Sequence, residues 1–258
     1  MTSLNQLAQS FKALHHVPNK PLVLANVYDV ITARIVGEIP SCQAIATASF
    51  AVARAAGTED DDLTLDENLA AVKGIAKVAK ELDKPLTVDI QDGYGEQLED
   101  AINALIDIGA VGVNIEDVNK TSKKVFPVDV AVERIKRVLR VARTRSVPDF
   151  VVNARCDVLL QGGEMKEVLD RGREYLAAGA TTVFVWGGRA RGTRKTEVIE
   201  MIEAFKGKLN VSMRLSPDAL GVEELARLGV SRISVGPGLQ TLVFDLYRKE
   251  AERILGVL

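Results

Sequence analysis

Short apolar and β-branched runs recur along this chain, separated by longer stretches in which apolar residues return every three or four positions. The short runs are Leu22–Asn26, Ala44–Ala48, Leu86–Ile90, Val111–Ile115, Phe150–Ala154, Thr182–Trp186, Leu209–Met213 and Arg232–Val235. Brief continuous apolar segments fit strands buried on both faces, and the longer patterns fit amphipathic helices. Helical spacing is clearest over Leu63–Leu82, Gln97–Ile108, Val130–Arg143, Lys166–Ala178 and Pro217–Leu228. In the first of these, Leu69, Val72, Ile75, Ala76 and Ala79 mark one face.

Ile108-Gly109-Ala110, Ala178-Gly179-Ala180 and Leu228-Gly229-Val230 each read as a helix closed by glycine before a buried strand. Eight strands alternating with helices predict an α/β fold, a (β/α)8 TIM barrel formed as one domain over residues 1–258. The open doubly wound alternative has less support, because no G-x-G-x-x-G follows the first strand.

Composition narrows the function classes. The chain has 258 residues, 47% apolar and 26% charged, with net charge −2, an ordinary soluble profile. Lys and Arg are dispersed and aromatics make up only 5%, which argues against a nucleic-acid partner. No apolar run approaches the ~20 residues that cross a bilayer, so no membrane partner is expected. Met1–Lys20 reads as a first helix, not a targeting peptide. Two cysteines, Cys42 and Cys156, are too few for a disulfide framework and point to a reducing, cytoplasmic setting. His15 and His16 stand apart from both cysteines in sequence, so no zinc site is expected.

Barrel sites lie at the C-terminal ends of the strands. Those ends collect Asn26 and Asp29, Ser49 and Phe50, Asp89, Gln91 and Asp92, Glu116 and Asp117, Arg155 and Asp157, Trp186, and Gly236-Pro237-Gly238. Carboxylates at strand ends are costly to bury alone, and a hard cation such as Mg²⁺ is the oxygen-seeking partner that relieves them. Arg155 leaves the end of a buried strand, where its guanidinium could hold a substrate carboxylate bidentately or tie to Asp157 or another acid. The acidic run Glu59–Asp62 precedes a helix whose Thr64–Glu67 start resembles a capping box. Gly236-Pro237-Gly238 is readable either as a phosphate loop or as a turn into the last helix. Cys156 has no His in sequence reach and reads as a packed residue.

The chain resembles the isocitrate lyase/phosphoenolpyruvate mutase superfamily. The matching segments are Asn26-Val27-Tyr28-Asp29 with Ala33-Arg34, Ala48-Ser49-Phe50, Gly57-Thr58-Glu59-Asp60, Val88 through Gly95, Asn114-Ile115-Glu116-Asp117, and Asn153-Ala154-Arg155. The resemblance implies a barrel with a swapped C-terminal helix, assembled as a homodimer or homotetramer. It implies Mg²⁺, with Mn²⁺ as an alternative, near Asp89 and Glu116, with Gln91 in the third metal-site position. It implies a small anionic substrate, an α-keto acid or phosphonate, held by amides around Ser49 and Phe50 and by Arg155, with Tyr28 and Trp186 beside it. Asp60 matches a mobile acid that closes over the site, so Asp60, Glu116 and Arg155 become the expected catalytic set. The shared chemistry makes or breaks a C–C or P–C bond through an enolate-like species.

Two departures stand out. Gln91 replaces a second acid, and Asp92 comes one place later. The lyase K-K-C-G loop is absent, and Val118 through Pro127 carries Lys120, Lys123 and Lys124 but no Cys. Trp186 occupies a strand end where the lyases carry Glu, so cleavage of isocitrate or methylisocitrate is not expected. The leading expectation is a Mg²⁺-dependent carbon–carbon lyase or phosphonomutase-like enzyme. The alternative is a catalytically impaired relative that binds small acids or acts as an interaction protein. A Schiff-base aldolase is disfavoured, since no strand ends in a suitable Lys.

Overall fold

The computed structural model describes residues 3–216 and 219–256. Its first helix, α1 (Leu4–Ala13), starts from a Ser3 capping box and buries Ala8 and Phe11. The strands are β1 (Leu22–Leu24), β2 (Ile45–Ala46), β3 (Leu86–Asp89), β4 (Gly112–Glu116), β5 (Val151–Cys156), β6 (Thr182–Val185), β7 (Leu209–Ser212) and β8 (Arg232–Ser234). Every ladder is parallel, and the order β1-β8-β7-β6-β5-β4-β3-β2 carries the sheet round to its own start. All eight expected strands are present; most are trimmed at one or both ends, while β4 and β5 run on to Glu116 and Cys156.

No ladder joins β1 to β2. One parallel bridge, Val27 to Thr47, closes the barrel there. Asn26 reinforces that seam: Nδ2 donates to the Thr47 carbonyl at 2.8 Å, and Oδ1 accepts from the Val235 and Gly236 amides at 3.0 and 2.9 Å. These bonds decide between the two readings of Gly236-Pro237-Gly238. The Gly238 amide donates to the Val235 carbonyl, and proline has no donor, so this segment is a turn whose amides are already used.

Between the strands run α2 (Val30–Gly37), α3 (Ser49–Ala56), α4 (Leu65–Glu81), α5 (Leu98–Asp107), α6 (Val128–Thr144), α7 (Met165–Ala177), α8 (Lys195–Phe205) and α9 (Val222–Leu228), and α10 (Gly238–Ile254) follows β8. The predicted Pro217–Leu228 helix forms only from Val222, and Pro217 lies outside the described residues. The Thr64 capping box is present, with the Glu67 amide donating to Thr64 Oγ1 and the Thr64 amide to Glu67 Oε2. Gly112 leaves room for the helix that covers the base of the barrel: a Cβ there would meet the Val151 carbonyl at 2.9 Å and the Phe11 ring at 3.0 Å.

One element does not pack like the others. Of α10, only Gln240 is buried, while Leu242, Val243, Leu246 and Tyr247 are at least half exposed. Ile31 and Ile35 leave a second apolar strip exposed on α2.

Candidate active site

A cavity of about 600 Å³ opens at the C-terminal ends of the strands. Of the expected site residues, Ser49, Phe50, Asp60, Asp89, Arg155 and Trp186 line it. Ser49 and Phe50 open α3, so the positive end of a helix faces the cavity. The Ser49 amide donates to Asp89 Oδ2 at 2.9 Å.

Arg155 organises the acids. Its Nε and Nη2 reach Asp157 Oδ1 at 2.9 Å, and Nη1 reaches Glu116 Oε1 at 2.8 Å. Its guanidinium lies 4.3 Å above the Trp186 ring centroid. Burial works against the charge, but Asp157, Glu116 and Asp89 outweigh it and hold the guanidinium above its ordinary range. Arg155 is therefore tied to acids, as one of its two readings had it, and also lines the cavity.

Burial pushes the Glu116 carboxyl well up. Asp157, Asp89 and Asp60 add to that, and Arg155 opposes it. The Asp60 carboxyl is raised by burial and by Asp89, against the Ser49 hydroxyl, Arg155 and Gln91. Asp60, Asp89, Glu116 and Asp157 thus share one field around a single paired guanidinium.

Three of the expected site residues stand off the main cavity wall. Glu116 sits behind Arg155, not on the main cavity wall. Gln91 is 5% exposed and does not line the cavity: Nε2 donates to the Asp60 carbonyl at 2.5 Å and to Asp60 Oδ1 at 3.0 Å, and Oε1 accepts from Lys120 Nζ at 3.1 Å. Tyr28 is buried in a small cluster with Ala48, Ala51 and Leu63, its ring edge-on to Phe244, and does not line the cavity.

Asp92 does not stand in for the acid that Gln91 replaces. Its carboxylate accepts the Tyr94 and Lys120 amides, both at 3.0 Å, and so shapes the loop. Lys120 is not a solvated lysine, since its Nζ also donates to the Leu63 carbonyl at 2.6 Å. Lys123 pairs with Asp61 at 2.5 Å. Asp29 caps α2 through the Thr32 amide. Asp117 is buried beneath the site, accepting the Asp157 amide at 2.8 Å and the Tyr175 hydroxyl at 2.6 Å.

Sequence reasoning missed the polar belt inside the barrel. Thr182 Oγ1 donates to Asn153 Oδ1 at 2.6 Å, Asn153 Nδ2 to Asn114 Oδ1 at 2.8 Å, and Asn114 Nδ2 to Asp89 Oδ1 at 3.0 Å. Asn114, Asn153, Asn210 and Arg232 also line the cavity. The signal was available: each interrupts an apolar strand at an inward position, where barrels usually carry branched apolar residues.

Residues 11–255 match the family of phosphoenolpyruvate phosphomutase, and the chain belongs to it. An uncharacterized protein of Mycobacterium tuberculosis (strain ATCC 25618 / H37Rv) is 30% identical over 230 residues, 88% of this chain and 81% of that protein. The 2-methylisocitrate lyase of Escherichia coli (strain K12) is 29% identical over 131 residues, 47% of this chain and 42% of the lyase. A provisionally named phosphonomutase from Burkholderia cenocepacia J2315 superposes with a TM-score of 0.84 at 30% identity, covering 98% of this chain and 100% of that one. The named relatives include 2-methylisocitrate lyases and a phosphoenolpyruvate phosphomutase, and this chain is an enzyme of their family.

Proposed function

We propose that this protein is a Mg²⁺-assisted enzyme acting on a small α-keto carboxylate or phosphonate through an enolate-like species. The observation that carries this reading is the gathering of Asp60, Asp89 and Glu116 around Arg155 at one end of the barrel.

The donor set fits a hydrated hard cation. Among the described residues, no three His, Cys, Asp or Glu side chains come together as a direct metal cage. The crowded carboxylates nevertheless leave negative charge that burial penalises. Mg²⁺ keeps several of its waters and takes one or two carboxylates, so Asp89 and Glu116 would hold it largely through water. When bound, it would supply Lewis-acid stabilisation of an enolate oxygen.

The chain's own residues supply the remaining functions. The Phe50 amide at the start of α3, whose Ser49 neighbour is already bonded to Asp89, and the remaining N–H groups of Arg155 receive the substrate carboxylate. Glu116, Asp157 and Trp186 fix the Arg155 fork before substrate arrives, so little reorganisation is needed. Asp60 carries a raised carboxyl against the cavity and is placed to take or return a proton. Among the described residues no cysteine lines the cavity, so that role does not fall to a thiol. The exposed apolar faces of α10 and α2 support a homodimer or homotetramer in which α10 packs on a neighbouring copy.

Calorimetry with oxalate, an enolate mimic, tests the reading. Binding should require Mg²⁺ and vanish in Asp89→Ala. Absence of oxalate binding to the metal-loaded wild type would overturn it. A metal-supplemented screen of α-keto acids and phosphonates, with Glu116→Ala as control, would then identify the reaction.

A further inference from the structure

Arg232 opens β8 with its side chain inside the barrel, 3% exposed and lining the cavity. Its Nε and Nη1 are buried with no hydrogen-bond partner among the described residues. Arg155 by contrast already directs Nε, Nη1 and Nη2 at carboxylates. Besides Arg189 and Arg214, which are exposed, the cavity therefore holds two inward guanidiniums of different kinds, one largely committed to acids and one with donors unspent.

The surroundings of Arg232 do not answer its charge. Its strand neighbours are Leu22 and Asn210. Asn210 bonds to Ser234, at 3.4 Å in both directions. Burial pushes the Arg232 guanidinium down to about 9, and Asp89 is the carboxylate that works against that fall. His15, also buried, adds no negative charge. A buried, unpaired cation is among the costlier arrangements in a protein interior, and an incoming anion would remove that cost.

We propose that Arg232 anchors a second anionic group of the substrate, so that the site selects dianions over monoanions of the same size. This rests on the function proposed above. One end of the substrate engages Arg155 and the start of α3, and the other reaches across the barrel to Arg232, with Asn210 and Ser234 beside it. The cavity is roomy for a three-carbon keto acid and suits a dicarboxylate or a phosphono-carboxylate spanning the two guanidiniums.

The test compares malate with 2-hydroxybutyrate, which replaces one carboxylate of malate by a methyl group, by calorimetry in Mg²⁺. Wild type should bind malate about tenfold or more tightly than 2-hydroxybutyrate, and Arg232→Met should bring the two within about threefold. Arg232→Lys keeps the charge without the fork and should lower the preference partway. Without ligand, Arg232→Met should melt no lower than wild type, because it removes an unanswered buried charge; a purely structural arginine would give a clear fall. An unchanged ligand preference in both variants, or equal binding of the two ligands by wild type, overturns this inference alone. If neither ligand binds wild type with Mg²⁺, the underlying functional reading falls as well.

Discussion

The Gln91 side-chain amide donates to both oxygen types of Asp60, its backbone carbonyl and, at 3.0 Å, its carboxylate. The residue that replaces an acid in this chain thus became a tie between two loops. Lys120, donating to Gln91 Oε1 and to the Leu63 carbonyl, extends the tie to the loop after β4.

Gln91→Glu should break that tie. It removes the donor from a part-buried carbonyl and sets a second carboxylate against Asp60. Losing such a bond costs about 1–3 kcal/mol, more where like charges meet. Urea unfolding should show this loss at pH 8 and a smaller one at pH 5, where protonation restores a donor. An equal loss at both pH values would mean that Asp60 is not the partner that matters.

Arg155→Lys should cost activity and stability together. A lysine restores one charge but cannot serve Glu116 and Asp157 simultaneously or stack on Trp186. Breaking a buried pair costs about 3–5 kcal/mol when one carboxylate is left alone, and retained charge should keep the loss near the lower end. Chemical denaturation and turnover of whichever substrate the screen identifies would check both.

Mg²⁺ should stabilise the protein more at high pH than at low pH. The Glu116 and Asp60 carboxyls are raised in the folded state, first by burial. The folded protein therefore binds protons more readily, and stability from these groups is lost as pH rises above the ordinary carboxylate range. A cation bound beside the ionised acids offsets that loss. Melting curves at pH 5 and pH 8, with and without Mg²⁺, should show the larger shift at pH 8, and Asp89→Asn should abolish the difference.

His15 works in the opposite direction. Burial, helped by Arg232, lowers it from 6.5 to about 3. The folded state keeps it neutral while the unfolded chain takes up a proton, so its contribution is lost as pH falls from 6.5 towards 3. The loss is about 1.4 kcal/mol per pH unit across that window at most. The difference in unfolding free energy between wild type and His15→Gln, followed from pH 7 to pH 4, isolates this slope from the carboxylates.

Leu246→Glu with Tyr247→Asp should lower the oligomeric state. Both residues are more than half exposed on α10, at 58% and 77%. Sedimentation should give an assembly of two or four chains for wild type and smaller species for the double variant. A monomeric wild type would remove the interface from consideration.

The barrel was legible because its signals are local: apolar runs of strand length, helical spacing, and glycines closing three helices. Those glycines have φ of +94°, +106° and +94°, as the pattern required. Strand ends carried the acids and Arg155 into view. The destinations of Gln91 and Asp92 were not legible, because their partners lie on other loops and only the closed barrel brings Asp60 and Lys120 to them. The surroundings of Tyr28 were not legible either: the chain places it at a strand end, and its ring meets Phe244 from the last helix. Arg232 was missed although it interrupts an apolar strand, because a lone basic residue at a strand start ordinarily reads as solvated.

The amide relay from Thr182 through Asn153 and Asn114 to Asp89 has an orientation, since each link donates towards the carboxylate. Turning one amide over would oblige its neighbours to turn as well or lose their bonds. Residues on four strands are therefore not independent sites of variation. A substitution on β6 chosen only to reshape the cavity would also alter how Asp89 is aimed, so changes in what the enzyme accepts and in how the proposed metal is held should arise together.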